Sequence, residues 1–475
     1  MDRAAKGTYG KVGVIKPNLP KENLMPTPSA EIIQVISVFA VAFSAPTFAK
    51  ILTLLPGVIL SPGRRTVTAA LRMVGLADDK NFSNYHRILN RDHWSPMLLS
   101  KLLLGLILLV FSATGWPLLL LVDDTLERRE GRKIRYKSRF YDAVLSTAAK
   151  VVTSMGLRWI CMMVLVPVPW SQRLWALPFM TILTLAPGTS RKLHKPHRTL
   201  VDWAGFMIEK VRRWQPESEI VLVGDGSFAA IALIQRCQRL KKPVRLISRL
   251  RLDAVLHDNP APRPKGKCGP HPKKGERQMS LAQRLVDPAT VWKKATLPWY
   301  GGFLKKIEFA SGLSLWYHRG EDPVPVRWVL VRPTDNSFKP AAFFCSDQNL
   351  APLFILHCFV ARWNIEVTFE ELRAHLGFET QRQWSDRAIE RTTPCLFGIF
   401  SLIVIFARIL YPQGLPIRQA EWYKKDEATF SDVLAAVRRH FWDNANSRAS
   451  SDCNEMLLIP RTALSSLLEV ACYST

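Results

Sequence analysis

Leu118 to Thr125 reads LLLLVDDT: five apolar residues that stop on two carboxylates. A short apolar run bounded by a breaker reads as a strand buried on both faces. The breaker is Gly115-Trp116-Pro117, directly upstream. The wider uncharged window, Leu102 to Val122, is 21 residues and long enough to cross a bilayer. That reading is weakened by the Gly-Trp-Pro break in its middle. The window also ends on Asp123-Asp124, with a basic stretch following. A helix, a turn and a core strand account for it better.

Downstream the chain alternates. Leu157–Val166 and Leu174–Leu185 read as strands parted by a Pro-Trp-Ser-Gln turn, and Arg198–Trp214 as a helix. Glu219–Val223 follows as a strand, Phe228–Arg239 as a helix and Val244–Ser248 as a strand. Three strands, a helix, a strand, a helix and a strand is the order of a ribonuclease-H-like sheet. It also fits other α/β domains. Upstream, Glu31 to Leu109 has helical periodicity with Arg64, Arg65, Lys80, Arg87 and Arg91 on it, and suits a small bundle that reads DNA ends.

The chain has 475 residues, too many for one ordinary core. Lysine and arginine number 65 against 39 acids, a formal charge of +26. That excess calls for a polyanion, with nucleic acid ahead of a membrane surface. Eight scattered cysteines without a C-x-x-C pair read as reduced thiols of a cytoplasmic protein, neither disulfides nor a zinc site. The N-terminus lacks the apolar core of a signal peptide. Its GTYGKV resembles a kinase glycine loop, but Ala5 stands where the first glycine should be, and no catalytic-loop motif follows.

Six segments result. Residues 1–30 read as a flexible arm, 31–112 as a helical DNA-end-binding domain, and 113–252 as the first part of the α/β core. Residues 253–347 form a β-rich insertion containing the Pro, Gly and Lys-rich loop 257–277. Within it Phe303–Phe309, Leu313–His318, Val324–Val331 and Ala341–Cys345 read as strands. Residues 348–440 complete the core, and 441–475 form a tail.

Cutting a phosphodiester with two divalent ions requires three or four carboxylates around metals ~3.5–4 Å apart, best fixed at strand ends. Asp123-Asp124 and Asp225, in EIVLVGDGSF, have that setting, and Gly224 and Gly226 would let substrate approach the backbone. Each acid alone could equally be a turn or helix cap. A third acid lies in FVARWNIEVTFEELR, Phe359 to Arg373. There Arg362, Glu366 and Arg373 fall on one helical stripe at about 100° per residue. Ordinary i,i+4 ion pairing is the bland account of that stripe.

Taken together, DDT, GDGSF, RLRLDA and RWNIEVTFEELRAHLGFE resemble the bacterial insertion-sequence DDE transposases. The resemblance is to the branch with a Tyr-Arg-Glu-Lys signature and a β-rich insertion before the glutamate. It implies a ribonuclease-H-like core with two Mg²⁺ or Mn²⁺ ions. The expected substrates are transposon terminal inverted repeats and target DNA, bound by a homodimer in the cytoplasm without a membrane. It makes Asp124, next to the threonine, the first metal ligand and puts Asp123 on the opposite strand face. Asp225 and Glu366 are the other two ligands, with Glu366 preferred to Glu370 by the Arg362-x-x-x-Glu366 spacing. Arg362 and Arg373 would grip phosphates, Arg373 in the lysine place. Phe359, in the tyrosine place, lacks the hydroxyl for a further contact.

Basic runs flank these acids. Residues 127–139 hold seven lysines and arginines against two glutamates, and 233–277 hold 13 against three acids. They suggest a DNA channel that includes Arg249, Arg251, Lys265, Lys267, Lys273 and Lys274. In the insertion, Trp292, Trp299, Tyr300 and Trp316 could pack or stack on a base, and Trp299 is the candidate for DNA contact. Two other readings stay open. One is a degenerate relative that binds DNA without cutting, suggested by Phe359 and Arg373. The other is a basic integral membrane protein.

Overall fold

The computed structural model describes residues 26–111, 116–147, 149–262, 271–335, 337–452 and 459–474. Lys265, Lys267, Cys268, the GTYGKV segment and most of the expected arm lie outside them. Five helices come first: α1 (Ala30–Ser37), α2 (Ala45–Leu60), α3 (Val67–Met73), α4 (Ser83–Asn90) and α5 (Pro96–Phe111). The long uncharged window then divides as expected, because α5 ends at Phe111 and β1 (Leu118–Arg128) begins at Leu118.

The strands continue with β2 (Ser138–Tyr141), β3 (Thr153–Val168) and β4 (Ser171–Thr184). Helices α6 (Pro187–Lys192) and α7 (Leu200–Trp214) lead to β5 (Ile220–Gly224), α8 (Ile231–Gln238), β6 (Arg245–Leu250) and the short β7 (Leu256–His257). The insertion supplies α9 (Leu281–Arg284), β8 (Lys293–Pro298), β9 (Leu304–Trp316), β10 (Val324–Pro333) and β11 (Ala341–Cys345). Helices α10 (Pro352–Ala361), α11 (Asn364–Leu376), α12 (Asp386–Leu410), α13 (Phe430–Asp452) and α14 (Arg461–Tyr473) complete the chain.

Among the described residues, eleven strands join one mixed sheet, along the path β2-β3-β1-β5-β6-β11-β10-β9-β7, with β4 on β3 and β8 on β9. β1 runs antiparallel to β3 and parallel to β5, and β5 runs parallel to β6. The insertion is therefore not a separate sheet: β11 pairs antiparallel with β6, Phe343 opposite Arg249, and carries the sheet outward. Two expected strands, Phe303–Phe309 and Leu313–His318, are one strand that passes straight through Gly312. A Cβ at Gly312 would come within 2.5 Å of the Trp328 ring, so this glycine makes room for a tryptophan and does not mark a turn.

The core is apolar where β1, β5 and β6 cross it; Leu120, Leu121, Val122, Leu222 and Ile247 are fully buried. Among the described residues, α12 is the one helix long and apolar enough to cross a membrane by length and composition. In this fold it packs on β4, α5 and α13, with Phe397, Phe400, Val404 and Phe406 buried. All six described cysteines are free thiols, as expected.

Candidate active site

Register places the acids. β5 accompanies β1 as far as the pair Val122–Gly224 and then ends. The next residue on each strand, Asp123 on β1 and Asp225 after β5, therefore stands at the same open end of the parallel pair. Side chains in register point to the same sheet face. Asp225 leaves the strand as the cap of a single turn, Gly226–Phe228, accepting a bond from the Ser227 backbone N–H at 3.0 Å. Ser248 of β6 donates its hydroxyl to the Asp225 carbonyl, which ties the turn to the neighbouring strand. The glycines serve this turn unequally. The space a Cβ would need at Gly224 is taken by Phe228, 2.8 Å away, so internal packing requires that glycine and substrate approach does not. At Gly226 the nearest atom is the Arg249 Cβ at 3.9 Å, and the position is exposed.

The third acid arrives from the other side. The stretch from Phe359 to Arg373 was expected as one helix, but it is two. α10 ends at Ala361, and α11 starts at Asn364. Between them the hydrogen bonds tighten to i,i+3, with Arg362 N–H on Phe359 O and Glu366 N–H on Trp363 O. Arg362 and Trp363 keep right-handed helical dihedrals, so the stripe survives the break.

Arg362 lies between two of the acids. Its Nη1 is 2.6 Å from Asp123 Oδ2 and 3.5 Å from Glu366 Oε1. Asp123 and Arg362 are both almost buried, whereas the Glu366 side chain is 43% exposed, open to a ligand. Burial pushes the Asp123 carboxyl well above the usual carboxylate range. Arg362 opposes that, and the carboxylates of Glu366, Asp225 and Asp124 reinforce it. Asp123 thus lies within electrostatic reach of both other acids. Glu370 is exposed.

The expectation for the Asp123-Asp124 pair is reversed in space. Asp124, not Asp123, points away from α11, and Arg158 of β3 holds it by two bonds of 2.6 and 3.1 Å. Leu126 faces Arg158 across the ladder, so Asp124, Leu126 and Arg158 share one face, while Asp123 and Thr125 share the face toward α11. Nothing in the sequence marked Arg158, which lies thirty-four positions from its partner.

Arg373 is also placed differently from the expected phosphate grip. Its Nε donates to Glu379 at 2.7 Å, its Nη1 to the Phe369 carbonyl at 3.3 Å and its Nη2 to the Thr125 hydroxyl at 2.7 Å. All three nitrogens are held by protein. Glu379 also takes Arg128 Nη1 at 3.1 Å, and Arg128 grips Asp142 at 2.7 Å. Glu379 has φ of 76°, the left-handed region that a glutamate adopts only when its surroundings hold it there. Deeper on the same strand face, the fully buried Glu127 accepts from Trp159, Thr393 and Arg129 at 2.7, 2.9 and 2.8 Å. Arg373, Glu379, Arg128 and Asp142 act as a strut between α11 and β1.

The insertion closes in with aromatics. Tyr300 lies 5.6 Å from Trp363 and near enough to Arg362 and Arg249 to feel both charges. Trp299 stacks on Phe338 at 4.7 Å and is 7% exposed, so its ring is committed to packing. Trp292 and Trp316 also have partners, Arg332 and Phe344. Phe359 is buried against Phe343 at 4.4 Å. Arg249 is exposed beside Gly226. Arg251 pairs with Asp253 and Lys273 with Asp322, both at the surface, and Lys274 sits 3.5 Å over the Tyr317 ring.

A sequence profile of the DDE superfamily endonucleases matches residues 38–306. The chain belongs to that family. The match takes in Asp123 and Asp225 and stops short of Glu366. No curated protein was matched by sequence. Among solved structures, a piggyBac transposase synaptic complex with hairpin DNA aligns with TM-score 0.42 and 11% identity. That alignment covers 94% of this chain and 84% of that one, and at such distance it adds nothing to the family match. In this DDE endonuclease Asp123 and Asp225 stand at the open end of β1 and β5, and Glu366 reaches Asp123 through Arg362. Among the described residues, no three histidine, cysteine, aspartate or glutamate side chains close tightly enough to hold an ion.

Proposed function

We propose that this chain is a transposase that cuts DNA at the ends of a mobile element and joins the freed end to target DNA. The carrying observation is the register Val122–Gly224, which sets Asp123 beside Asp225 at the open strand ends with Glu366 across from them. Asp123 takes the place that the sequence alone had given to Asp124. The core is read as ribonuclease-H-like, supported by antiparallel β4, β3 and β1 followed by parallel β5 and β6.

The donor set suits Mg²⁺ or Mn²⁺. It is hard oxygen from three elements, with the Asp123 carboxyl buried near the charges of Glu366 and Asp225, an excess of negative charge that a divalent cation would offset. Asp123, Asp225 and Glu366 would hold two such ions, which supply an activated attacking oxygen and a stabilised leaving oxygen when bound. The chain's own contribution is position and charge. Arg362 pairs with Asp123 and Glu366 in this state, and its Nε is buried without a hydrogen-bond partner among the described residues. Ser248 and Ser227 hold the Asp225 turn. Duplex DNA is the partner, and a homodimer on DNA would bring two ends together.

The test is cleavage of duplex carrying the element's terminal repeats by purified protein with Mn²⁺ or Mg²⁺. Nicked product, lost with chelator and lost in Asp225→Ala and Glu366→Ala, is the expected result. DNA binding without product at any metal concentration would instead support a binding-only relative, the reading favoured by the saturated Arg373 and the buried Phe359.

A further inference from the structure

The densest basic stretch outside the runs flanking the acids is RKLHKPHR, residues 191–198, with four lysines and arginines, two histidines and no acid. Its cations are exposed. Strand register fixes where it lies. Thr184, the last residue of β4, pairs with Arg158 of β3, the same arginine that holds Asp124. β4 therefore hands the chain over at the end of the sheet where β1 carries its acids. Residues 131–139 leave β1 at that end too, with Arg132, Lys133, Arg135, Lys137 and Arg139.

The two stretches are welded together. The Ser138 and Thr189 hydroxyls are hydrogen-bonded, and Lys195 Nζ donates to Tyr136 Oη at 3.0 Å while standing 4.8 Å from its ring. Nine lysines and arginines thus lie on two joined segments at one end of the sheet. Asp386 and Glu390 answer Arg135 and Lys195. Among the described residues no carboxylate pairs with Arg132, Arg139, Arg191, Lys192 or Arg198.

We propose that this welded face binds the phosphate backbone of duplex DNA and carries it from the acids over the β4 edge of the sheet. The proposal rests on the endonuclease reading and adds a surface to it. Five cations without a carboxylate partner, with Arg198 over the Trp203 ring at 4.8 Å and Arg139 donating to Thr153, are spread over two segments and exceed what a single small anion could engage, whereas a duplex offers phosphates along its whole length. Their place at the acid-bearing end of the sheet favours DNA over an anionic membrane.

The experiment compares the salt dependence of DNA affinity for three full-length proteins on one duplex: wild type, R132Q/R139Q/R191Q/K192Q, and R239Q/K241Q. The last pair precedes β6 and lies at the opposite end of the sheet, since β6 begins beside Val221 and β5 beside Leu118. Each lost phosphate contact lowers the slope of log K against log salt by about 0.9. The quadruple variant should lose about 2 to 4 from that slope, and the control pair less than about 1. Equal loss per charge removed at the two ends would overturn the inference. If the quadruple variant does not fold, R191Q/K192Q, on exposed positions, should still lose about 2. Wild type that binds DNA and cuts it, with an unchanged quadruple variant, sinks only this surface. Wild type that ignores DNA and binds phosphatidylserine vesicles sinks the endonuclease reading with it.

Discussion

Asp123 and Asp124 are adjacent in the chain and stand on the two faces of β1, and the two faces are built differently. On the face toward α11, Asp123 is buried beside Arg362, within reach of Glu366 and Asp225. On the other face Asp124 lies in a two-pronged clasp from Arg158, a pairing that is complete without any ligand. Both carboxylates have partners, but Asp123 sits buried among three other carboxylates beside one guanidinium, whereas Asp124 has a guanidinium clasp of its own. The contrast follows from the alternation of successive side chains: a shift of one residue exchanges the carboxylate on the α11 face for the one that Arg158 holds.

The sharpest way to break this comparison is to neutralise each acid in turn. Asp123→Asn should lower metal-dependent cleavage by more than about 10³-fold, because the acids act as a unit. Asp124→Asn should keep cleavage within about tenfold, a cost of disturbed orientation only. Cleavage assays showing the reverse order would return the site to Asp124.

A smaller effect sharpens the role of the strut. In Glu379→Gln the Arg373 guanidinium loses its anionic partner while Thr125 and Phe369 still hold it. Turnover should fall by roughly 10–100-fold, as when a group that orients a ligand is removed. The salt slope of DNA binding should not change, since Arg373 is already occupied by protein. A lower slope with normal turnover would instead make Arg373 a phosphate contact.

The smallest effect is on stability. Hydrogen bonds from Arg128, with help from Ser154, hold the Asp142 carboxyl down at about 2. Because its folded value lies below its unfolded one, its contribution is complete above the unfolded range near 3.8 and is lost as pH falls through about 2. Asp142→Asn should cost about 2 kcal/mol at neutral pH. The gap from wild type in denaturant titrations should close as pH drops from about 4 toward 2. A gap independent of pH would mean that packing, and not the charge, is what Asp142 contributes.

Local chemistry made much of this chain readable. The run at β1, the strand at Ala341–Cys345 and the division of the long apolar window by Gly-Trp-Pro all depend on residues within a few positions of one another. Three strands escaped notice, the shortest being β7, two residues held against β9. β8, KKATLP, carries two lysines and a proline and has no apolar alternation. β2, SRFY, sits in a basic run and is held by the edge of β3. β9 was expected as two strands, because the Trp328 ring that Gly312 accommodates is sixteen residues away. The stripe from Arg362 to Arg373 was legible because αR dihedrals persist through the helix break, yet the partner that saturates Arg373, Glu379, lies beyond the helix in a left-handed residue.

By itself the sequence determined which residue types were available: strand-ending acids, an acid between arginines, and a charge that requires a polyanion. Periodicity and composition are local properties, and they are written residue by residue. Only the tertiary structure decided which member of the Asp123-Asp124 pair faces Glu366, that the insertion extends the core sheet, and that the basic stretch 191–198 meets residues 131–139. Each of these depends on strand register or on contacts between distant segments, and a side-chain period of two lets a single step of register turn every residue to the opposite face.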